Sequence, residues 1–498
     1  MHSVVDAQRP AYRTTATAFG HEALPRGRYR DAVTASVLLA SNRGPVSWTE
    51  GPTGDLEPRR GGGGLVSALG TLELGDEVHW VCAALSAADR RAVRSGAVDL
   101  PGVTLLDVDP VSFDRAYNGV ANGLLWFTAH LLWSTPTTPS FGDRTRREWG
   151  AFCTYSQAFA DALAAHAAPG ATVLVQDYHL SLVPQLLRAQ RPDLRIGHFS
   201  HTPWAPPEYF RLLPDAIAAG VLRGLLGADS VGFHAARWAD AFARCCVELL
   251  GASYDGHAVT LDGRRTCVDV HPLGVDAEEL RDRAAQPDVQ TRIAALRELV
   301  GDRQLLLRVD RTELSKNIVR GLEAYRELLR RFPEHRERVV HLAFAYPSRH
   351  DLPEYREYTG AVQRVAREVN EEFATDTWLP VHLEVKDDYA RSVAAMVLAD
   401  VLLVNPLRDG MNLVAKEAPV LSERGLSLVL SREAGAADEL GAWAHLVGPL
   451  DVSATAEALH RALTDTDRVE RTAQLAKAAS AHPPAAWLQS QLAALRPA

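Results

Sequence analysis

The sequence contains few cysteines, and their spacing does not suggest a metal site. Only five occur in 498 residues, Cys245 and Cys246 are adjacent, and no paired C-x-x-C pattern is present. This arrangement suits neither a disulfide framework nor a structural zinc site. We therefore expect a reduced, cytoplasmic protein that needs no metal and no other cofactor.

Long apolar runs and an excess of basic residues are also missing. No run is long enough to span a bilayer, and residues 1–33 lack the apolar stretch of a signal peptide, so we predict a loose N-terminal arm there. The 53 Lys and Arg residues are outnumbered by 62 Asp and Glu residues, and the formal net charge is −9. This balance argues against a nucleic acid or an anionic membrane as partner.

Strand-like apolar runs alternate with longer helical patterns along the chain, which predicts parallel sheets covered by helices. A chain of 498 residues is too long for one ordinary core. We predict an α/β fold with two domains, residues 34–275 and 276–473, and a C-terminal helix within 474–498 that packs back on the first. The predicted strands are Thr34–Ala40, Val78–Cys82, Val103–Val108, Val173–Gln176, Ile196–Ser200, Ser230–Phe233, Val268–His271, Gln304–Val309, Val339–Phe344, Val381–Leu383, Val401–Val404 and Ser427–Leu430.

Residues 409–417 form the most informative segment. They follow the apolar run Asp400–Val404, contain Gly410, and lead into a predicted helix from Met411 to about Leu421. A helix N-terminus after a strand and a glycine turn is an anion site. The carboxylates of Asp409 and Glu417 would lie on either side of the bound anion. In a sugar nucleotide the hexose and the ribose lie on either side of the diphosphate, so each carboxylate could hold the hydroxyl groups of one of these sugars. The alternative is a βα turn with solvent-exposed acids.

Two further pairs of polar residues follow predicted strands. Arg311 and Lys316 come after Gln304–Val309 and can clamp a diphosphate from two sides, unless the segment is only a solvated loop. Asp177 and His201 follow neighbouring strands, although a histidine is more often structural.

Aromatic and glycine-rich segments offer weaker signals. Tyr117 and Trp126 lie in a segment rich in Asn and Gly that does not read as a periodic helix; they suit either sugar stacking or core packing. The run Gly61–Gly64 suits either a phosphate-approaching loop or a linker.

Together these residues resemble the trehalose-6-phosphate synthases, a family of retaining glycosyltransferases with the GT-B fold, in which two Rossmann-like domains face a cleft. The resemblance runs from about Ser41 to Leu450. It rests on Ser41-Asn42-Arg43, Gly63-Gly64-Leu65, Tyr117-Asn118 with Trp126, Asp177-Tyr178-His179, His201-x-Pro203, Arg311-x-x-x-Ser315-Lys316, Ser348-Arg349, Pro406 to Glu417, and Ser431-x-x-x-Gly435-Ala436-Ala437-x-Glu439-Leu440.

The resemblance implies the roles of individual residues. The donor, GDP-glucose or UDP-glucose, is expected to contact Gly64, Arg311, Lys316, Asp387, Asp409, Gly410, Met411, Asn412, Leu413, Val414 and Glu417. The acceptor, glucose 6-phosphate, is expected to contact Arg43, Tyr117, Trp126, Asp177 and Arg349. The residues expected to act in catalysis are His201, Asp177, Arg311, Lys316 and Asp409. No metal is expected, and a homo-oligomer is compatible with the sequence.

Some features depart from the family or leave alternatives open. The family often has Tyr and Gly where this chain has Leu314 and Asn317. Lys386-Asp387-Asp388 lies near the expected base site, and a carboxylate suits guanine better than uracil, so we expect GDP-glucose to be the preferred donor. Two alternative functions stay open. The chain could be a related enzyme that couples cyclitol phosphates without a glycosidic bond, or a regulatory protein that senses phosphosugars. Relatives of the first kind lose the Leu-Arg-Asp-Gly-Met-Asn sequence, which is present here at 407–412.

Overall fold

The computed structural model describes residues 34–51, 53–60, 77–98 and 100–496. The predicted arm over residues 1–33 and the glycine run with Gly64 lie outside these ranges.

The first half of the described chain forms one large sheet and a small hairpin. Seven parallel strands lie in the order β5-β4-β1-β6-β7-β8-β11, the antiparallel strands β10 and β9 extend this sheet, and β2 and β3 form the hairpin. The strands are β1 (Ala35–Ser41), β2 (Val46–Glu50), β3 (Leu56–Arg60), β4 (Val78–Ala83), β5 (Val103–Leu106), β6 (Ala167–Gln176), β7 (Arg195–Ser200), β8 (Ser230–Phe233), β9 (Ser253–Tyr254), β10 (Ala258–Leu261) and β11 (Arg264–Val270).

Helices cover both faces of this sheet. Leu38 of β1 packs into one apolar cluster and its neighbour Leu39 into another, as expected for a strand buried on both sides. The helices are α1 (Ala87–Ser95), α2 (Pro110–Asp114), a π-helix (Arg115–Leu125), α3 (Trp126–Ala129), α4 (Asp143–His166), α5 (Val183–Gln190), α6 (Pro207–Phe210), α7 (Asp215–Leu225) and α8 (Ala236–Leu250), with a 3₁₀ turn at Tyr178–Leu180.

The second half forms a fully parallel six-stranded sheet in the order β14-β13-β12-β15-β16-β17. Its strands are β12 (Gln304–Arg311), β13 (Val339–Tyr346), β14 (Val381–Glu384), β15 (Val401–Val404), β16 (Ser427–Ser431) and β17 (His445–Val447). Its helices are α9 (Ala277–Ala284), α10 (Pro287–Val300), α11 (Ile318–Arg331), α12 (Pro353–Phe373), α13 (Tyr389–Leu398), α14 (Val414–Leu421), α15 (Ala437–Leu440), α16 (Val452–Leu463) and α17 (Arg468–Ala479), with 3₁₀ turns at Leu314–Lys316 and Pro333–His335.

The last helix, α18 (Pro484–Ala494), lies on the first sheet. Its residues Trp487 and Leu488 belong to the same buried cluster as Leu39, Trp80 and Phe199. The chain thus crosses back to the first sheet after completing the second. The limits of the two domains stay a prediction, although the two sheets fall on either side of residue 275.

The predicted α/β fold with two parallel sheets is confirmed, and two local expectations are corrected. Tyr117 lies within a π-helix and Trp126 begins α3, so the Asn- and Gly-containing segment is helical after all. The predicted helix start at Met411 is wrong, because α14 begins at Val414. The short or polar strands β2, β3, β9, β10 and β17 were not predicted.

Within the described residues, no helix is long and apolar enough to cross a membrane. All five cysteines are free thiols.

Candidate functional site

The site lies where the carboxyl edges of the two sheets meet. His201 follows β7 of the first sheet, and Gly410 follows β15 of the second. A side chain at Gly410 would overlap the backbone carbonyl of His201, so only glycine permits this approach. The indole N–H of Trp238 donates to the Gly410 carbonyl at 3.1 Å, which fixes the same contact from the first sheet.

A buried ion pair links two of the predicted donor-site residues. Lys316, in the turn after β12, lies 2.5 Å from the carboxylate of Asp409, measured from Nζ to Oδ2, and both side chains are at most 15% exposed. Burial alone would raise the pKa of Asp409, but the Lys316 ammonium outweighs this effect and lowers it. Lys316 therefore stays charged beside an ionised carboxylate.

The Asp409 carboxylate also organises the start of α14. It accepts a hydrogen bond from Asn412 Nδ2 at 3.0 Å, and Asn412 Oδ1 accepts one from the Ala415 N–H at 3.1 Å. Asn412 adopts a φ of 91°, a left-handed conformation that Asn tolerates better than most residues. Leu413 is the N-cap residue of α14, so this helix start follows closely on Asp409 and Asn412 in the chain. A helix leaves the N–H groups of its first turn without intrahelical partners, and such groups can bind an anion.

Glu313 is a buried carboxylate that the sequence did not identify. Its Oε1 lies 3.0 Å from Arg311 Nη1 and 3.0 Å from Arg349 Nη1, and it accepts a hydrogen bond from Ser348 at 2.9 Å. Burial would raise its pKa, but Arg311, Arg349 and Lys316 together lower it to about 2. One carboxylate thus anchors a predicted donor-binding arginine and a predicted acceptor-binding arginine.

Both arginines lie over the ring of Trp126, the first residue of α3 in the first half of the chain. The Arg349 guanidinium lies 3.9 Å from the Trp126 ring centre, and that of Arg311 lies 5.9 Å away. Arg349 also donates to Tyr178 at 3.2 Å, and its φ of 46° is in the left-handed region. Arg349 is 9% exposed, whereas Arg311 is half exposed and thus more open to a ligand.

Tyr117, Arg43 and Asp177 converge on His179. The Tyr117 ring stacks on the His179 ring at 5.5 Å, and the carboxylate of Asp177 lies 3.7 Å from His179 Nδ1. Burial lowers the pKa of His179, Asp177 opposes this effect, and the nearby cations Arg349 and Arg43 lower the pKa further. The predicted acceptor residues are therefore neighbours in space, and Arg43 is the exposed cation among them.

Asp177 and His201 lie side by side at the ends of β6 and β7. The Asp177 carboxylate accepts the His201 N–H at 3.3 Å, and Asp177 has a φ of 72°, a strained conformation typical of functional positions. Burial would raise the pKa of Asp177, but His179 and His201 outweigh it and hold the pKa well below its usual range. The His201 ring is held between Gln176 Oε1 at 3.0 Å and His234 Nε2 at 3.2 Å.

Glu417 and Asp387 lie at the other end of the donor region. Glu417 is half-buried, and burial raises its pKa to about 7. Burial also raises the pKa of Tyr346 to about 12, with smaller contributions from the carboxylates of Asp387 and Glu417. Both carboxylates therefore lie near the same hydroxyl, and Asp387 is exposed. Residues 409–413 are not helical, so Asp409 lies before α14, whereas Glu417 lies in its first turn.

Three residues that sequence reasoning left without a role support the site. Besides Glu313, these are His130, which stacks on Trp126 at 3.9 Å, and Lys416, whose buried ammonium donates to the Leu273 carbonyl at 2.7 Å and pairs with Glu439 at 2.5 Å. Lys416 thus ties α14 to the chain just before residue 275. A signal for Glu313 existed in its position between Arg311 and Lys316, but nothing in the sequence indicated that it is buried.

The arrangement places cations, each paired with a carboxylate, at one edge of an acidic protein. Arg311, Lys316 and the N-terminus of α14 surround one side of the cleft, and the aromatic and polar group around Tyr117 and His179 forms the other. Such a site can bind a diphosphate and stabilise negative charge that develops on it, while a second sugar binds opposite.

Comparisons with known proteins agree with this description. A family model described as Glycosyltransferase family 20 matches residues 36–497. The Thermoproteus tenax bifunctional trehalose-6-phosphate synthase/phosphatase is 34% identical over 86% of this chain, which spans only 58% of that relative's length. The alpha,alpha-trehalose-phosphate synthase (UDP-forming) 2 of Aspergillus fumigatus is 32% identical, over 92% of this chain and 96% of the relative.

One relative has a different reaction in its name. The validamine 7-phosphate valienyltransferase of Streptomyces hygroscopicus subsp. jinggangensis is 34% identical, over 92% of this chain and 94% of the relative. Among solved structures, an alpha,alpha-trehalose-phosphate synthase (UDP-forming) from Burkholderia xenovorans in complex with glucose-6-phosphate has a TM-score of 0.79 and 25% identity, covering 93% of this chain and all of the other. Overall identity therefore does not separate the two reactions.

Proposed function

Since the chain belongs to glycosyltransferase family 20 and has the GT-B fold, it is a glycosyltransferase, and we propose that it makes trehalose 6-phosphate. The proposed reaction transfers glucose from a nucleotide-glucose donor to glucose 6-phosphate with retention of the anomeric configuration. Trehalose-phosphate synthases among the relatives and a structural neighbour with glucose 6-phosphate support this assignment.

The observation that carries the proposal is the buried pair of Lys316 and Asp409 beside the N-terminus of α14. In this arrangement Asp409 accepts hydroxyl groups of the donor glucose, while Lys316, Arg311 and the N–H groups of Leu413 and Val414 bind the diphosphate. Gly410, Met411 and Asn412 bring their backbone close to the same sugar, and Glu417 accepts the ribose hydroxyls.

The acceptor occupies the side of the cleft formed by the first sheet. Tyr117 and Trp126 pack against its sugar ring, and Asp177 accepts a hydroxyl group. Arg43 and Arg349 face the 6-phosphate; Arg43 is exposed, whereas Arg349 is already engaged with Glu313 and contributes mainly through its fixed charge. His201 lies between the two sugars, next to Gly410.

We propose a front-face mechanism. The bond between the glucose C1 atom and the diphosphate oxygen breaks, the acceptor hydroxyl bonds to C1 on the same face, and its proton passes to the departing oxygen. The protein contributes by orienting both sugars and by stabilising the charge that grows on the diphosphate. Arg311 and Lys316 are placed for this second task because they keep their positive charge beside Glu313 and Asp409.

The proposed donor is UDP-glucose. The Aspergillus fumigatus relative and the Burkholderia xenovorans structural neighbour are both named UDP-forming, so the expected preference for GDP-glucose has no support from them. Asp387, like Glu417, is close enough to Tyr346 for its charge to raise the pKa of that hydroxyl, and we place the base at this end of the donor region. It stays the candidate for any contact with a guanine base.

The cyclitol-coupling alternative is retained because the valienyltransferase matches this chain over a similar length. Residues 407–412, Leu-Arg-Asp-Gly-Met-Asn, argue against it, because they keep Asp409 as a partner for Lys316 and for sugar hydroxyls. Retention of Arg311, Lys316, Asp409 and Glu417 also argues against a regulatory protein without a donor site.

One experiment tests the proposal. Purified protein is incubated with glucose 6-phosphate and either UDP-glucose or GDP-glucose, and with validamine 7-phosphate as the competing acceptor. We expect nucleotide release and an α,α-linked disaccharide phosphate with UDP-glucose, and at least tenfold lower kcat/KM with GDP-glucose. No disaccharide phosphate with either donor would contradict the proposal, and equal rates with both donors would contradict the donor assignment.

A further inference from the structure

Glu334, His335 and His460 form a compact group on the second sheet's domain, called here the His335 cluster. His335 ends the 3₁₀ turn that follows α11, and His460 lies in the last turn of α16. Because β13 begins only four residues later, at Val339, the cluster lies at the amino edge of the sheet. Lys316 and Asp409 lie at the carboxyl edge, so the cluster is separate from the site described above.

The ligand atoms of the cluster point at one another. His335 Nε2 and His460 Nδ1 are 2.9 Å apart, and a Glu334 carboxylate oxygen is 4.0 Å from the same His460 nitrogen. All three ligand atoms lie within 4.8 Å of one another. Two of these side chains come from segments 125 residues apart, so only the packing of α11 against α16 brings them together.

Packing fixes the orientation of both rings. The His460 ring stacks on Phe332 with a centroid distance of 3.9 Å and an interplanar angle of 7°. His335 is 5% exposed, so its ring is enclosed by the protein. Glu334 is more than half exposed and can turn towards the two rings. Two oriented imidazoles and a carboxylate that can move are a pre-organised set of metal ligands.

We propose that the His335 cluster binds one divalent transition-metal ion, with Zn²⁺ preferred over Mg²⁺ and Ca²⁺. Zinc takes imidazole nitrogens at about 2.0–2.1 Å, which places two nitrogens on a tetrahedron about 3.3 Å apart. The nitrogens at 2.9 Å need to separate by only a few tenths of an ångström to admit the ion. Mg²⁺ and Ca²⁺ favour oxygen ligands, so two imidazoles select against them.

The ion would connect α16 to the turn after α11 and leave one coordination position for water. Without an ion, one ring donates its N–H to the facing nitrogen of the other ring. When the ion binds, the donor ring carries its proton on its other nitrogen, so both facing nitrogens offer lone pairs and no net proton is released. The inference does not depend on glycosyl transfer, because no residue of the cluster belongs to the proposed donor or acceptor site.

Calorimetric titration of untagged, EDTA-treated, full-length protein with Zn²⁺ tests the inference. The variant His460→Gln keeps a hydrogen-bonding side chain but removes the imidazole ligand, Glu334→Gln removes the carboxylate, and His257→Ala is the control because His257 is exposed and outside the cluster. We expect one high-affinity site in the wild type and in His257→Ala. His460→Gln should weaken binding at least 100-fold and Glu334→Gln about tenfold.

A thermal-unfolding measurement keeps the test independent of folding defects. Zn²⁺ should raise the Tm of the wild type and of His257→Ala but not that of His460→Gln, while Mg²⁺ raises none of them. His460→Gln could have a lower Tm than the wild type even without metal. The test therefore compares the Tm of each protein with and without Zn²⁺, and this difference shows whether the protein binds the ion. Unchanged zinc affinity in both cluster variants, or no zinc site in the wild type, would overturn the inference.

Discussion

Lys316 and Asp409 are 93 residues apart in the chain, yet their charged atoms lie 2.5 Å apart at the meeting edge of the two sheets. Neither charge is tolerable there without the other, because removing one partner of a buried pair leaves an uncompensated charge. The pair therefore stabilises the loop before α14, and in our proposal it also binds the donor.

The first prediction concerns this pair. Lys316→Met and Asp409→Asn should each lower kcat/KM by at least about 100-fold, because each loses a donor contact and leaves its partner uncompensated. The double variant should lose much less than the product of the two single losses, because the partners act together. Steady-state kinetics of the four proteins measure this coupling, with Lys477→Met, at an exposed position, as the control. Multiplicative losses would contradict the prediction.

The second prediction concerns Glu313. Glu313→Gln removes the charge that holds Arg311 and Arg349, so KM should rise several-fold for both the donor and glucose 6-phosphate. Glu368→Gln is the control, because Glu368 also pairs with an arginine but is 40% exposed. A change in KM for only one of the two substrates would show that Glu313 does not serve both arginines.

Glu313 also predicts a pH dependence of stability. Its pKa is lowered from 4.5 to about 2, so ionised Glu313 stabilises the folded protein at pH values above 4.5, and this stabilisation is lost as the pH falls towards 2. The wild type should exceed Glu313→Gln by up to about 3 kcal/mol in unfolding free energy at pH 7. Urea unfolding at pH 7 and pH 3 should show this difference shrinking; a constant difference would count against the assigned cause.

The third prediction concerns Glu417, whose pKa is raised to about 7 by burial. Between pH 4.5 and 7 the folded protein holds a proton that the unfolded chain has released, so ligand-free stability should fall as the pH rises through this range. Ribose hydroxyls donate to the ionised carboxylate, so the affinity for UDP should rise about tenfold from pH 6 to pH 8. Calorimetry on the wild type and Glu417→Gln checks both effects, which should be absent from the variant.

The fourth prediction concerns the close approach of the two sheets. Gly410→Ala places a methyl group against the His201 carbonyl, so the loop must move and kcat/KM should fall at least about 100-fold. Gly360→Ala is the matched control: Gly360 lies within α12 with open space around it, and the change should stabilise the protein by about 0.5–1 kcal/mol without loss of activity. Activity of Gly410→Ala near the wild-type level would contradict the close contact.

The sequence alone determined much of the fold because buried parallel strands are short, continuous apolar runs. Strands such as Val401–Val404 follow directly from this pattern. Strands such as β17 and β3 do not follow from it, because β17 has only three residues and β3, with the sequence Leu-Glu-Pro-Arg-Arg, is mostly polar. Residues that follow the strands, including Asp177, His201 and Asp409, were predictable as a group because parallel strands end at a common edge.

Only the tertiary structure decided the charge state and the partners of these residues. Burial makes Glu313 an anchor for two arginines, raises the pKa of Glu417 and pairs Lys316 with Asp409. The same holds for His335 and His460, which are separated by 125 residues. The local sequence pattern shows which surface of a helix or strand is apolar. The burial of a charged group and its ionic partners depend on which segments pack against that surface, and the whole fold determines those segments.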